Sequence, residues 1–498
     1  MTYFQPFLEA LPTNWFGDDA LLRQLLQHYA AAAGAAEGPA LSSWGETVAG
    51  RLRDAAEQSA RPGNAPYLRH FDAYSRRVDD VVLPASTLEA FAQVQGVQRL
   101  GALHGDPFVF YSKVYLFNQN GEAGVACSTA CTDGMVRLLE AAGDHPEHRL
   151  AIERVRASSA ERIWHGAQFV TEIQAGSDIP AIVLEARSSA GAYRLHGQKW
   201  FCSNINADYF VVAGRPRGAP EGARGVAVFL LPAYLDGRRN GYTIDRLKDK
   251  LGTRELPTAE VTFDGALAYP VGPLDRGLAN ILDPVLTTSR FACVIVAAAS
   301  LRQAERIVAA YVRFREAFGN KLIDYELVRE TLHDLRRARA CALGAMFGLI
   351  GLWRDSVVSD DMRLHFRLLL SLCKPVLTRR STAMLHEAIM QLGGNGIEER
   401  FSPLPRLYRD AVIMETWEGP HNVLLTQALR DLIRFEVEPA GFVERIAGGP
   451  ERDLSDELAR ILGAPEEPGA LTRFARLAGK LARAFGERVL AVSGCSDR

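Results

Sequence analysis

A carboxylate between an aromatic residue and a glycine is the strongest single chemical feature of this sequence. Glu418 follows Trp417 and precedes Gly419, so one side of it could be shielded from water while the glycine allows a tight turn. Burial raises the pKa of a carboxyl group, which would suit Glu418 to general-base work. The alternative interpretation is an ordinary surface glutamate, and the rest of the chain has to decide between the two.

Two other segments combine polar side chains with residues that allow close backbone approach. In residues 170–178, VTEIQAGSD, hydroxyl groups beside Gly176 offer the donors that a flavin edge or a phosphate needs. In residues 197–204, GQKWFCSN, two adjacent aromatic residues followed by Ser203 could cover a planar cofactor ring. The alternatives are an ordinary turn for the first segment and a plain strand for the second.

A further segment, REAFGN at residues 315–320, is predicted to close a long helix that begins near Arg290. Arginine at either end could bind a phosphate or a carboxylate through paired hydrogen bonds. An arginine near a helix C-terminus also interacts favourably with the helix dipole, so both interpretations stay open. The glycine turn at Gly393 and Gly394 completes the set of candidate segments.

Several common catalytic and cofactor motifs are missing from the sequence. It has no GxGxxG after a predicted strand and no GxxxxGK[ST], which removes the turns that Rossmann and P-loop sites require. HExxH, GxSxG and paired CxxC motifs are absent as well. No metal site is predicted, and any redox cofactor would occupy a different kind of pocket.

Composition and charge favour an ordinary globular protein of more than one domain. The 498 residues exceed the size at which a single core stops growing, and the net charge of −2 gives no overall attraction to nucleic acid or anionic membranes. No apolar run approaches the roughly 20 residues that span a bilayer. The amino terminus lacks a secretory signal and the seven cysteines are scattered, so we expect a cytoplasmic protein.

The apolar pattern divides the chain into helical, β and helical regions. Apolar residues recur at helical spacing in residues 46–164 and 276–438, where four long segments are typical of an antiparallel bundle. Residues 165–275 contain short β-forming runs, which predict a small antiparallel β domain. Residues 1–45 are predicted to form an amino-terminal arm, and residues 439–498 a carboxyl-terminal helical extension.

The ordered occurrence of five motifs resembles the acyl-CoA dehydrogenase family of flavoproteins. TEIQAGSD, GQKWFCSN, REAFGN, LGGNG and RDAVIMETWEG follow one another within residues 70–435. The resemblance implies a mainly α fold with a central antiparallel β-barrel domain, an N-terminal helical domain and a C-terminal four-helix bundle, plus the helical extension. It also implies FAD as the cofactor and a homotetramer as the assembly.

The resemblance also gives roles to individual residues. Glu418 falls at the position of the catalytic base. Arg290 is a candidate substrate contact on its own chemistry, as an arginine that could bind a phosphate or a carboxylate. The candidate FAD contacts are Val170, Thr171, Gly176, Ser177, Phe201, Ser203, Arg315, Phe318, Gly393, Gly394 and Asn422. Ser203 matches the position that faces flavin N5, whereas Arg315 and Phe318 match a pair that reaches the FAD of a neighbouring subunit.

Four residues depart from the family pattern. Phe201 stands where a tryptophan is usual, Glu326 where a glutamine is common, and Pro420 where a threonine often touches FAD, while Met390 replaces a polar residue. These departures alter particular cofactor contacts and leave the overall pattern in place.

Two further stretches resemble the alkylation-response subgroup of the family, RRVDDV at residues 76–81 and RLKDKLG at residues 246–252. Members of this subgroup carry an extra C-terminal helical domain and are associated with DNA binding through a basic face. Here residues 440–498 contain nine Lys or Arg and nine Asp or Glu residues, a regional net charge of zero. Because DNA affinity depends on clustered cations, DNA binding is not the leading expectation.

The leading hypothesis is FAD-dependent α,β-dehydrogenation of an acyl thioester. Glu418 would take the α-proton while flavin N5 accepts the β-hydrogen as hydride, and an electron-transfer flavoprotein would reoxidise the cofactor. One alternative is flavin-dependent oxidation or N-hydroxylation of a small amine or nitro compound. A second alternative is a DNA-binding protective flavoprotein. The acyl chain, its carrier and the physiological oxidant stay open.

Overall fold

The computed structural model describes residues 2–495, which divide into two compact units. The helical unit contains residues 1–53, 104–121 and 290–498, and the sheet unit contains residues 54–103 and 122–289. Each unit is therefore assembled from distant parts of the chain. The bounds of the five regions expected from the sequence stay predictions.

Long helices with apolar faces build the helical unit. Its amino-terminal helices are Gln5–Glu9, Ala20–Tyr29, Ala31–Thr47 with the π-helical turn Val48–Leu52, and Pro107–Asn118. The bundle helices are Leu286–Phe314, Glu326–Asp355, Asp360–Gln391, Leu404–Thr416 and His421–Arg434. Ser359 sets the start of one of them, because its hydroxyl accepts the Met362 N–H at 3.2 Å.

The carboxyl-terminal extension consists of the helices Pro439–Ala447, Arg452–Gly463 and Ala470–Val492. The last of these packs closely on the helix Glu326–Asp355 because glycines lie at the contact. A Cβ atom on Gly344 would lie 2.6 Å from Gly486 O, and a Cβ atom on Gly486 would lie 2.5 Å from Cys341 O. Any side chain at either glycine would push the two helices apart, so the extension is an integral part of the helical unit.

Seven strands form the main sheet of the sheet unit. They are Gly166–Phe169, Glu185–Ser189, Ala192–Ser203, Tyr209–Pro216, Ala227–Pro232, Tyr242–Leu247 and Thr258–Pro270. Five of the strands pair in a closed ring that encloses an apolar core with Phe169, Phe210 and Phe229. Most pairings are antiparallel as predicted, but Tyr209–Pro216 pairs in parallel with both Gly166–Phe169 and Glu185–Ser189.

The α-helices and π-helical turns of the sheet unit come from both sides of the strand region. They are Arg53–Ser59, Ala85–Phe91, the π-helical turn Ala92–Val97, Ala126–Ala141, Pro146–Arg156, Gly277–Asn280 and the π-helical turn Ile281–Val285. This confirms the predicted mainly α fold with a central β region.

One part of the expected helical region 46–164 is a β-hairpin instead, formed by Tyr67–Phe71 and Arg77–Val82. Asp79 is 1% exposed, and its carboxylate accepts the Ile244 N–H at 3.0 Å and the Arg77 Nε–H at 2.8 Å. A distant strand therefore anchors the hairpin, which local helical spacing could not reveal.

Three smaller differences concern element boundaries. Ile182 to Leu184 lie outside a strand, since the pairing starts at Glu185. The long helix expected to reach Phe318 ends at Phe314, and an unpredicted helix, Leu404–Thr416, precedes Glu418.

One described segment, Gly277–Phe314, is long and apolar enough to cross a membrane by length and composition alone. Its most apolar window is 78% buried inside the protein, which is how a core helix behaves.

Candidate active site

Glu418 lies in the turn between the helices Leu404–Thr416 and His421–Arg434. Its φ is +56°, in the left-handed region that residues with a Cβ rarely adopt, and Gly419 follows with a φ of +106°. The side chain is half-buried. A strained backbone at a half-buried acid is a common property of functional sites, and here it fixes the direction in which the carboxylate leaves the chain.

Two buried cations hold this turn. Arg290 Nε donates to Glu418 O at 3.1 Å, and Lys374 Nζ donates to Glu415 O at 3.2 Å and to Gly419 O at 2.9 Å. Burial lowers the pKa of Arg290 and of Lys374, while the negative charge of Glu418 opposes both shifts. Glu418 therefore lies in the electrostatic field of two cations whose hydrogen bonds also shape its backbone.

Arg290 was a candidate substrate contact, and its guanidinium is used at least in part to hold Glu418. Lys374 is 0% exposed and was not found by sequence reasoning. Its only signal was a lysine in the middle of an apolar helix, which is rare unless the charge has partners.

In the sheet unit, the segment 170–178 leaves the strand Gly166–Phe169 and is held from beneath by a buried ion pair. Lys199 Nζ lies 2.8 Å from Glu172 Oε1 and also donates to Val170 O at 2.8 Å. Glu172 accepts the N–H groups of Val183 and Leu184 at 2.7 and 3.1 Å. Although burial raises the pKa of Glu172, the Lys199 ammonium and these hydrogen bonds hold it below its ordinary value.

The predicted cofactor contacts of this segment lie on its outer side. Val170 and Thr171 are half-buried, and Gly176 and Ser177 are exposed. A Cβ atom on Gly176 would meet nothing within 4 Å, so the backbone there is open to an approaching group. Trp200 N donates to Thr171 O at 2.9 Å, which brings this segment beside the strand that carries Phe201 and Ser203.

Phe201 and Ser203 belong to the strand Ala192–Ser203. Phe201 is 49% exposed, and Lys248 Nζ lies 4.6 Å from its ring centroid and 3.3 Å from that of Trp200. Ser203 is half-buried, with its hydroxyl 3.0 Å from Thr258 Oγ1. Phe201 and Ser203 thus lie at the end of a strand whose backbone borders segment 170–178.

Arg315 and Phe318 belong to a short hairpin that follows the helix Leu286–Phe314, so they do not close that helix as expected. Ala317 pairs with Asn320 across the hairpin, and Phe318 and Gly319 have φ values of +51° and +84°, the signature of a type I′ turn. This turn leaves Phe318 96% exposed at the tip. Arg315 Nη1 donates to Tyr3 Oη at 2.9 Å.

The remaining candidate contacts, Gly393, Gly394 and Asn422, are also open to solvent. Added Cβ atoms on the two glycines would meet nothing within 4 Å, and Asn422 lies exposed in the first turn of the helix His421–Arg434. These positions do not contribute to the packing of their own unit. Their exposure would allow these three residues to contact a group outside the helical unit.

Family models match most of the region that carries these residues. The model described as acyl-CoA dehydrogenase, middle domain, matches residues 167–266, and that of the C-terminal domain matches residues 275–433.

Individual proteins extend this similarity. The chain is 31% identical to acyl-CoA dehydrogenase family member 11 of Caenorhabditis elegans over 78% of its own length and 66% of the relative's. It is also 31% identical to the putative acyl-CoA dehydrogenase AidB of Escherichia coli, over 74% and 69% of the two lengths. The chain thus spans about two thirds of the length of these relatives. The crystal structure of Caenorhabditis elegans ACDH-11 in complex with C11-CoA superposes with a TM-score of 0.86 at 26% identity, covering 97% of this chain and 88% of that one.

The sequence similarity, the fold and the order of the elements that carry the motifs all indicate the same family. The chain belongs to the acyl-CoA dehydrogenase family, whose members are FAD-dependent oxidoreductases that act on CH–CH groups of acyl thioesters.

Proposed function

We propose that this protein dehydrogenates an acyl thioester between its α and β carbons, with Glu418 as the general base. The observation that carries the proposal is the strained turn at Glu418, which two buried cations fix by three hydrogen bonds. A structural glutamate on the surface needs neither a left-handed backbone nor such support. A base does need a fixed direction, because proton transfer depends on hydrogen-bond geometry.

The residues of the sheet unit fit FAD. A flavin presents ring nitrogen and carbonyl acceptors, and the hydroxyls of Thr171, Ser177 and Ser203 are donors that lie outside the packed core. The open backbone at Gly176 suits a phosphate, which prefers N–H groups unobstructed by side chains. Val170 and Phe201 supply apolar surface for the ring.

Bound FAD would supply the acceptor for the substrate's β-hydrogen as hydride, at N5. The chain's own residues would do the rest. Glu418 takes the α-proton on a carboxylate oxygen, and its backbone N–H is the proposed donor to the thioester oxygen, where negative charge develops. Arg290 and Lys374 keep the turn in position during both events through their hydrogen bonds to its main chain.

The exposed residues of the helical unit have a proposed role in assembly. Arg315, Phe318, Gly393, Gly394 and Asn422 would contact the FAD of a neighbouring subunit in a homotetramer. Their exposure in the single chain supports this role, because a contact with another subunit requires accessible groups, and Phe318 is 96% exposed at its turn tip.

We propose an acyl-CoA as the thioester, on the strength of the C11-CoA found in the similar Caenorhabditis elegans structure. An electron-transfer flavoprotein is the proposed oxidant, and the cytoplasm the proposed location. DNA binding is not part of the proposal. The extension's net charge of zero gives no cationic face, and two of its basic side chains pair with acids, Lys480 with Glu457 at 2.8 Å and Arg473 with Glu467 at 3.0 Å.

The substrate class can be tested by anaerobic titration of the purified protein. Saturated acyl-CoA thioesters of increasing chain length should bleach the flavin absorbance, whereas small amines and nitroalkanes should not. Bleaching by an amine or a nitroalkane, with none by any acyl-CoA, would favour the oxidase or N-hydroxylase alternative instead.

A further inference from the structure

Ser203 is one end of a chain of three polar groups in the sheet unit. Its Oγ lies 3.0 Å from Thr258 Oγ1, which in turn lies 2.9 Å from Lys250 Nζ. Ser203 and Thr258 are cross-strand partners on the strands Ala192–Ser203 and Thr258–Pro270, so the sheet fixes their separation. Lys250 Nζ is fixed as well, because it also donates to Leu256 O at 3.0 Å.

The hydrogen-bonding capacity of these groups determines the direction of the chain. A lysine ammonium has donors and no acceptor, so Thr258 Oγ1 must accept from Lys250. Thr258 is 2% exposed, and a buried hydroxyl proton needs an acceptor. Ser203 Oγ is the acceptor on its other side. Thr258 therefore donates to Ser203, and the Ser203 proton is left to point away from Thr258.

We propose that Lys250 and Thr258 are positioning residues that make Ser203 a hydrogen-bond donor to FAD. The inference rests on the proposed function, since it takes Ser203 to face flavin N5. Oxidised flavin has a lone pair at N5 and reduced flavin has a hydrogen there, so a fixed donor favours the oxidised cofactor. Hydrogen bonds to ring nitrogens are a recognised way in which proteins tune a cofactor.

Removal of Lys250 would release this constraint. Thr258 could then accept from Ser203, and Ser203 would present a lone pair in place of a proton. The preference for oxidised FAD would weaken even though Ser203 itself is unchanged. This predicted effect distinguishes a role in directing the Ser203 proton from a simple packing contact with Ser203.

The test uses the purified full-length protein loaded with FAD. We would measure the dissociation constant of oxidised FAD and the two-electron midpoint potential for wild type, Lys250→Met and Thr258→Val. Thr258→Ser and Lys250→Arg keep the hydroxyl and the donor, and serve as rescue variants. Thr262→Val is the matched control, because Thr262 lies on the same strand and its hydroxyl accepts from Gln198 Nε2 at 3.1 Å.

Lys250→Met and Thr258→Val should each weaken the preference for oxidised over reduced FAD about fivefold to tenfold, the size of one hydrogen bond. For a two-electron couple a tenfold change raises the potential by about 30 mV. The rescue variants and Thr262→Val should stay within about twofold of wild type. A merely structural role would not restore the potential in Thr258→Ser while leaving it shifted in Thr258→Val.

Two results would overturn the inference. In the first, wild type binds FAD, but the midpoint potentials of Lys250→Met and Thr258→Val equal that of the control Thr262→Val. This result would leave the proposed function intact. In the second, wild type binds no FAD, which overturns the proposed function together with the inference.

Discussion

Arg290 donates its Nε hydrogen to the main-chain oxygen of Glu418 across 3.1 Å. Arg290 lies 128 positions earlier in the chain, and it is 7% exposed. The contact therefore joins two distant elements of the helical unit at a backbone atom. It ties the direction of the Glu418 side chain to the position of a buried cation, which is the arrangement that an oriented base requires.

The second cation of the turn provides the first prediction. Lys374→Met removes the hydrogen bonds to Glu415 O and Gly419 O, and each unsatisfied carbonyl costs about 1–3 kcal/mol. We expect turnover to fall at least about tenfold, since one lost hydrogen bond to a charged group already corresponds to that factor. FAD content should be largely preserved, because the hydroxyls proposed to bind the flavin, those of Thr171, Ser177 and Ser203, belong to the sheet unit and are unchanged. Turnover and flavin absorbance measure the two quantities, with the exposed Lys480→Met as the control. Wild-type turnover in Lys374→Met would contradict the proposed role of the turn.

The left-handed backbone of Glu418 has a consequence for stability. Glu418→Gly should unfold with a free energy about 1 kcal/mol higher than Glu418→Ala, because glycine adopts a positive φ without strain. Both variants lack the carboxylate, so the comparison isolates the backbone. At Glu415, inside the helix Leu404–Thr416, the order should reverse. Equal stabilities of the two Glu418 variants in urea titrations would show that the turn is unstrained.

Asp19 gives the protein a defined dependence on pH. Burial alone would raise its pKa, but Arg339 and Arg302 hold the pKa of this carboxyl well below its ordinary value. A depressed pKa contributes stability that is present above the unfolded-state pKa of about 3.9 and is lost as the pH falls below it. Asp19→Asn removes the carboxylate that Arg339 and Arg302 share, while Arg302 keeps its ion pairs with Asp18 and Glu305, so the cost is about 3 kcal/mol. We expect this difference from wild type to be constant between about pH 5 and 8 and to shrink below about pH 4.

Urea unfolding at several pH values would measure this difference. Asp144→Asn is the matched control, since Asp144 is 77% exposed where it pairs with Arg149. Its effect should stay below about 1 kcal/mol throughout. A difference for Asp19→Asn that grows on acidification would refute the assignment.

The buried pair beneath segment 170–178 should behave as a unit. Lys199→Met and Glu172→Gln each leave one buried partner uncompensated, so each should weaken FAD binding and lower the melting temperature. The double variant should recover part of the loss, because it removes both charges together. Isothermal titration with FAD on wild type, the two single variants and the double variant measures the coupling free energy between the two charges. Strictly additive losses would show that the two charges act independently.

The sequence allowed the mainly α fold class with its central β region to be predicted, since these depend on local spacing, whereas the role of Glu418 stays a prediction. The β-forming runs of residues 165–275 all lie in a strand of the main sheet or directly beside one. The hairpin that begins with Tyr67–Phe71 was not predicted from the sequence, because a strand more than 160 residues away anchors it through Asp79. Phe318 was predicted to lie at a helix end. In the structure Phe318 and Gly319 have two successive positive φ values, and the local residue types do not reveal this turn.

The supporting residues of the site were missed for a related reason. Lys374, Lys199 and Lys250 each hydrogen-bond to main-chain or side-chain atoms that are brought close only by folding. A lysine in an apolar helix or strand is a usable signal that a charge is buried. It does not say which carbonyl or hydroxyl the ammonium will meet.

The central claim is that Glu418 removes the substrate proton, and Glu418→Gln tests it most directly. Wild type, Glu418→Gln and the matched variant Glu415→Gln would be mixed anaerobically with a saturated acyl-CoA that bleaches wild-type flavin. We expect Glu418→Gln to retain FAD and to bleach at least about a thousandfold more slowly, while Glu415→Gln bleaches at nearly the wild-type rate. Bleaching of Glu418→Gln at the rate of Glu415→Gln would contradict the claim.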